Sequence, residues 1–152
     1  MGELSGGRVE GIHLHGDRGA PMRIVDSAEL VAGHGLLGDR TAGLGIPGSH
    51  VTFIAAEGVE AMVAETGIPL RPQETRRNIL TRGVDVPALV GHRFRVGEAV
   101  CYGVKECPPC NHLESMTYPG VRAGLSGRGG LRADVVAGGF VRVGDRITLL
   151  AD

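Results

Sequence analysis

Apolar residues along this 152-residue chain recur in short alternating runs and not in long helical stripes. From Arg8 to His15, Ile12 and Leu14 alternate with His13 and His15, which predicts a first strand. Met22 to Val25 and Ser27 to Val31 predict two more short strands, and His50 to Ile54 a β-branched, aromatic one. One helix is predicted, from about Ala56 to Glu65, because Val59, Met62 and Val63 fall on one face and Gly67 supplies a stop. Val86 to Val90 reads as a helical turn, and Arg93 to Val96 with Ala99 to Val104 as a hairpin about Gly97-Glu98. In the second arm Ala99, Cys101 and Gly103 share one face, and Val100, Tyr102 and Val104 the other. Tyr118 to Leu125 predicts a short helix, followed by strands over Leu131 to Val136, Gly139 to Val143 and Ile147 to Leu150.

Three segments break this pattern. Gly33 to Arg40 is a glycine-dense loop, Pro72 to Gly83 is a polar loop running into a short strand, and Lys105 to Leu113 holds two cysteines around two prolines. Short strands separated by frequent turn signals predict one mainly β domain, a compact barrel or sandwich with a few short helices. The 26 Gly and 8 Pro agree with many turns, while three Phe, two Tyr and no Trp require a mostly aliphatic core.

Charge and cysteine content narrow the function. A net charge of −1 supplies no global field to attract nucleic acid or an anionic membrane. No apolar run reaches the roughly 20 residues of a membrane span, and no basic, apolar leader follows Met1. Three cysteines, an odd number, fit reduced thiols in a cytoplasmic setting.

The segment Lys105-Glu106-Cys107-Pro108-Pro109-Cys110-Asn111-His112-Leu113 concentrates the candidate chemistry, and is read as a stiff loop with a proline-fixed turn. Local chemistry leaves three roles open for Cys110: inert, zinc-binding with Cys107 and His112, or reactive as a thiolate. Lys105, the only lysine, stands five positions before it and could lower a thiol pKa or hold a phosphate. Arg76-Arg77-Asn78 offers guanidinium forks and an amide, against the plain alternative of a charged surface loop paired to Glu74. Gly38-Asp39-Arg40 and Ser126 to Arg132 could form backbone nests around an anion, or be ordinary turns. Gly43 to Gly48 matches G-x-G-x-x-G, but it opens no helix and Pro47 interrupts it, so dinucleotide binding is rejected.

In order and spacing these pieces resemble the MOSC domain, the module at the C-terminus of molybdenum cofactor sulfurases. The resemblance rests on Gly35 to Arg40, Glu74 to Ile79, Leu89 to Gly97, Cys107 to Leu113 and Gly127 to Ala133, ending in Gly139 and Val143-Gly144-Asp145. It spans about residues 9–149, so residues 1–152 are expected to form a single MOSC domain of the stand-alone bacterial type. It implies a β-barrel of the pyruvate-kinase-barrel class and one key cysteine that ligates the metal of molybdenum cofactor (molybdopterin) or carries sulfur. The matching position is Cys110. The resemblance further implies cofactor contacts at Arg76 and Asn78, with Arg77 in the variable place, and with Arg40 and Lys105 as additional holders of pterin or phosphate. Pyridoxal phosphate is not expected, since Lys105 lies outside any aminotransferase-like motif. The implied chemistry is reduction of N-hydroxylated substrates or sulfur delivery to a metal centre, with a redox or sulfur-donor protein as partner. The competing expectation is a non-enzymatic module that binds an anion or partner through its arginines, with structural or zinc-binding cysteines.

Overall fold

The computed structural model describes residues 7–151. Among the described residues eleven strands form, and seven of them close into a barrel. Strands β1 (Gly7–Leu14), β5 (Val51–Ala55), β6 (Ile79–Arg82), β7 (Arg93–Val96), β8 (Ala99–Glu106), β9 (Leu131–Ala137) and β11 (Arg146–Leu149) run around it in the order β11-β7-β8-β9-β5-β6-β1. Pairing of β1 with β11 closes the ring. Closure leaves no open edge in a sheet whose strands are only four to eight residues long. All pairings are antiparallel except β5 with β6, which is parallel and uses helix α1 (Ala56–Thr66) as its crossover. Strand β2 (Arg23–Val25) extends β1, while β3 (Ser27–Val31), β4 (Gly35–Leu36) and β10 (Gly139–Arg142) form a separate small sheet.

The barrel interior is aliphatic with two aromatic rings, Phe53 and Phe94, which meet edge-to-face with centroids 5.2 Å apart. The alternation in β8 points the expected face inward: Ala99, Cys101 and Gly103 are buried, and Tyr102 is exposed. Gly103 could be no other residue, because a Cβ there would stand 2.1 Å from the Leu89 carbonyl oxygen. A second cluster of Met62, Leu70, Leu113, Val121 and Leu125 lies outside the barrel and gathers α1, α2 (Asn111–Met116) and α3 (Val121–Gly124). Helix α1 stops as expected at Gly67, whose φ of 74° lets its N–H bond the Val63 carbonyl.

Three local readings change. Gly35 and Leu36, expected as loop, pair with β3, because Leu36 is fully buried and carries its backbone into the small sheet. The helix expected over Tyr118 to Leu125 is confined to Val121–Gly124, since Pro119-Gly120 delays its start. Residues 107–110 make no turn and are followed at once by α2. Proline disfavours the helical region for the residue before it and donates no hydrogen bond, so the pair carries the chain in extended form.

Candidate functional site

Cys110 is solvent-exposed, whereas Cys101 and Cys107 are buried, and all three are free thiols. Cys110 takes the N-cap position of α2 in extended conformation, and Leu113, one turn on, anchors that helix in the outer cluster. The position of the thiol is therefore set by apolar burial three residues away. Cys101 faces the barrel interior, and burial pushes its thiol far above the ordinary value.

Arg77 ties the cysteine segment down. Its Nε donates to the Gly129 carbonyl at 2.8 Å, Nη1 to Thr75 at 3.3 Å, and Nη2 to the carbonyls of Cys107 and Pro108 at 3.3 and 3.4 Å. Burial lowers the Arg77 pKa; Cys107 and Cys110 oppose that shift, and Arg132 adds to it. Gly129 lies so close to the segment that a Cβ there would stand 2.3 Å from the Cys107 carbonyl oxygen.

Asn78 is buried and fully engaged. Its Oδ1 accepts from the Thr52 backbone N–H at 3.0 Å and hydroxyl at 3.1 Å; its Nδ2 donates to the His13 carbonyl and to Asp39 Oδ1, both at 3.1 Å. An amide with two accepted and two donated bonds has little left for a ligand. Arg76 differs. With φ of 62° it is the one non-glycine residue with positive φ among the described residues, and it sits at the end of the 3-10 turn Pro72–Thr75. That conformation, costing roughly 1 kcal/mol or more, sends Arg76 and Arg77 to different neighbourhoods. Arg76 Nη1 donates to the Ala20 carbonyl at 2.9 Å, and Arg40 Nε to the Gly16 carbonyl at 2.7 Å, so both guanidinium groups grip one loop. Burial lowers the Arg76 pKa, Arg40 lowers it further and Asp39 partly offsets them. Glu74, the expected counter-charge, pairs with Arg71 instead, at 3.4 Å. Arg76 lines a cleft of about 260 Å³ together with Met22, Arg71, Gln73, Met116 and Thr117. Met116 ends α2, about 9 Å along its axis from Cys110, and Thr117 is its C-cap.

Lys105 is exposed on β8 and lies across from Arg132 of β9. No group of three or more His, Cys, Asp or Glu side chains able to hold a metal forms among the described residues. The zinc arrangement of Cys107, Cys110 and His112 is thus not assembled: one thiol is buried and the other faces solvent.

The structure adds a pair that sequence reasoning passed over. Asp39 accepts from the backbone N–H of His15, from His15 Nδ1 at 3.0 Å, from the Thr41 N–H at 3.1 Å, from the Thr41 hydroxyl and from Asn78. Burial by itself would raise the Asp39 carboxyl, but the hydrogen bonds from His15 and Thr41 overcome it and hold the group down at about 2. The only signal in the sequence was the Gly38-Asp39-Arg40 nest; nothing in the spacing pointed to His15.

A pH dependence follows from this carboxyl. A folded-state pKa below the unfolded value contributes stability above the unfolded pKa of about 4 and loses it as pH falls through about 2. His13 acts in the same direction, since burial lowers its pKa and so disfavours its charged form in the folded state. We expect urea-unfolding free energy to fall by about 2 kcal/mol from Asp39 alone between about pH 5 and pH 2. Asp39→Asn should lose that part of the acid dependence.

Barrel, flanking helices and exposed thiol together define a small mixed-strand β-barrel domain carrying a solvent-facing cysteine on the segment between β8 and α2. The family model of the MOSC domain matches residues 34–148, and the chain belongs to that family. Among solved structures, the YuaD protein from Bacillus subtilis is similar at 18% identity and TM-score 0.76, with 94% of each chain covered. YiiM from Geobacillus stearothermophilus gives 13% identity and TM-score 0.76 over 95% of this chain and 75% of that one. YiiM from Escherichia coli gives 20% and 0.70 over 95% and 70%. At these identities the likeness shows the shared fold. No curated protein matches the chain. No helix among the described residues is long and apolar enough to cross a membrane.

Proposed function

We propose that this MOSC protein works through the thiol of Cys110, as a ligand to the metal of molybdenum cofactor. The observation that carries the reading is the unequal treatment of three cysteines: two are sealed, while Cys110 is presented to solvent by an anchored helix and an arginine-tied segment. The residues fit the group in part. Cys110 offers an accessible soft ligand, and Arg76 and Arg40 each keep guanidinium donors beyond the carbonyl they bind, suited to an anionic pterin phosphate. Arg77 and Asn78 act behind them, the first holding the thiol segment and the second the floor between β1 and β5. Lys105 is an exposed cation one residue before the end of β8, three residues ahead of the Pro108-Pro109 pair. Held by Cys110 with Arg76 and Arg40, the cofactor would supply two-electron reduction of an N-hydroxylated substrate. A redox protein then has to deliver the electrons, and a reducing cytoplasmic setting keeps the thiol free.

The exposure of Cys110 also suits a second reading, sulfur carriage. Cys110 Sγ attacks the terminal sulfur of a donor persulfide; a new S–S bond forms as the donor's breaks, the donor leaves as a thiolate, and no net oxidation occurs. Metal analysis with sulfane-sulfur titration of the purified protein decides. Molybdenum near one equivalent, lost in Cys110→Ser, supports the cofactor; labile sulfur near one equivalent, lost in the same variant, supports carriage. Loading unchanged in Cys110→Ser removes both, and a protein that takes up neither is the anion- or partner-binding module.

A further inference from the structure

We propose that the cavity beside Cys110 seats a small carboxylate-bearing thiol or its disulfide, with Arg122 on the carboxylate, and that this ligand is the exchange partner of Cys110. The proposal rests on Cys110 as the working thiol, and adds the class of molecule that caps and frees it.

Cys107 cannot serve as that partner. Residues 107–110 make no turn, and Cys110 itself has φ of −132° and ψ of 170°. Three extended steps separate the two Cα atoms by about 9 Å, whereas a disulfide spans at most about 7 Å. The prolines fix φ at both intervening positions. Arg77 Nη2 donates to the Cys107 and Pro108 carbonyls at 3.3 and 3.4 Å, and the Cys107 N–H bonds the Gly130 carbonyl at 2.8 Å, so the extension is held in place. Cys101, the remaining thiol, lies sealed inside the barrel. A sulfur partner for Cys110 therefore has to come from outside the chain.

A cavity of about 530 Å³ opens at the two sequence neighbours of Cys110, lined by Pro108, Pro109, Asn111, Glu114, Arg122 and Ser126. That volume suits a molecule of di- or tripeptide size. Its two charged side chains are not equivalent. Glu114 Oε1 accepts from the N–H groups of Gly120 at 3.1 Å and Arg122 at 2.9 Å, so this carboxylate is committed to the backbone at the start of α3. The Arg122 guanidinium makes no hydrogen bond or ion pair among the described residues, which leaves its planar fork for a ligand carboxylate. Exposed Asn111 and Ser126 add an amide and a hydroxyl for peptide groups. Cys110 Sγ attacks one sulfur of the ligand's disulfide. An S–S bond forms to Cys110 as the original one breaks, the other half leaves as a thiolate, the Cys110 proton passes to solvent, and no net oxidation occurs. Capped in this way Cys110 neither ligates a metal nor carries sulfur, and a second thiol of the same class reverses the exchange.

The probe is glutathione disulfide, set against cystamine, a disulfide that carries ammonium groups and no carboxylate. Each is incubated with the purified, reduced chain, and adducts are counted by intact mass and placed by peptide mapping. We expect a single glutathione on Cys110, none in Cys110→Ser, and no cross-link between Cys107 and Cys110. The ratio of the glutathione rate to the cystamine rate should fall about tenfold in Arg122→Gln. Added salt should lower the same ratio in the parent. A disulfide between Cys107 and Cys110, or a ratio that Arg122→Gln leaves unmoved, overturns the proposal; loading that is lost in Cys110→Ser still upholds the proposed function. A Cys110 inert to both disulfides denies the accessible thiol on which that function rests, and overturns both. Should Arg122→Gln fail to fold, salt decides alone, and a parent ratio that salt leaves unchanged overturns the proposal.

Discussion

Asn78→Asp is expected to destabilise the protein by about 3 kcal/mol or more, although it exchanges only an NH2 for an oxygen. In the parent, Nδ2 donates to the His13 carbonyl and to Asp39 Oδ1, both at 3.1 Å. The variant sets a carboxylate oxygen against another carboxylate and a carbonyl in a site 2% exposed. Its Oδ1 still accepts from Thr52, so the loss comes from the two reversed contacts. For a chain of this length the melting temperature should drop on the order of 10 °C. Because the new carboxyl is pressed towards its neutral form, the penalty should shrink as pH is lowered towards 5. Thermal melts at two pH values check both the size and the sign; a variant as stable as its parent at neutral pH would remove Asn78 from the role assigned to it.

Arg77→Ala is the second large effect, with an expected cost of about 3 kcal/mol. One largely buried guanidinium satisfies carbonyls of Thr75, Cys107, Pro108 and Gly129, groups from three separate stretches of chain. Alanine orphans them together and leaves a gap behind the thiol segment. Arg77→Lys should recover less than half, because an ammonium cannot reach several directions from one planar fork. Native thiol labelling gives a second readout. The parent should modify at Cys110 alone, since Cys107 is 2% exposed and Cys101 is fully sealed. In Arg77→Ala the released segment should expose Cys107 and raise labelling to two thiols per chain, counted by mass spectrometry.

Both predictions concern residues that the sequence offered as cofactor ligands and the structure engages in the protein's own hydrogen bonds. Arg76, Arg77 and Asn78 are consecutive, so their residue types alone suggest one shared polar cluster. What separates them is the positive φ of Arg76. It directs Arg77 towards Cys107 and Gly129, keeps Asn78 between β1 and β5, and leaves Arg76 by the cleft. A propensity argument assigns no left-handed backbone to arginine, so this branching was invisible beforehand. The zinc alternative for Cys107-x-x-Cys110 foundered for a related reason. The spacing is right for shared ligation, but two prolines extend the chain and put one sulfur inside and the other outside.

The strand positions other than β4, the helix stop at Gly67 and the inward face of Ala99, Cys101 and Gly103 were determined by the sequence alone, because each depends on local periodicity or on one residue's backbone freedom. The ordered motifs likewise placed the chain among MOSC domains, as the match over residues 34–148 shows. Tertiary structure decided which polar groups still have bonds to give. Asn78, Arg77 and Asp39 are consumed largely by partners 24 to 65 residues away, His15 joining Asp39 at the short end and His13 joining Asn78 at the long one. Hydrogen-bond capacity is spent on whatever folding brings near, and barrel closure brings together residues that no local window contains.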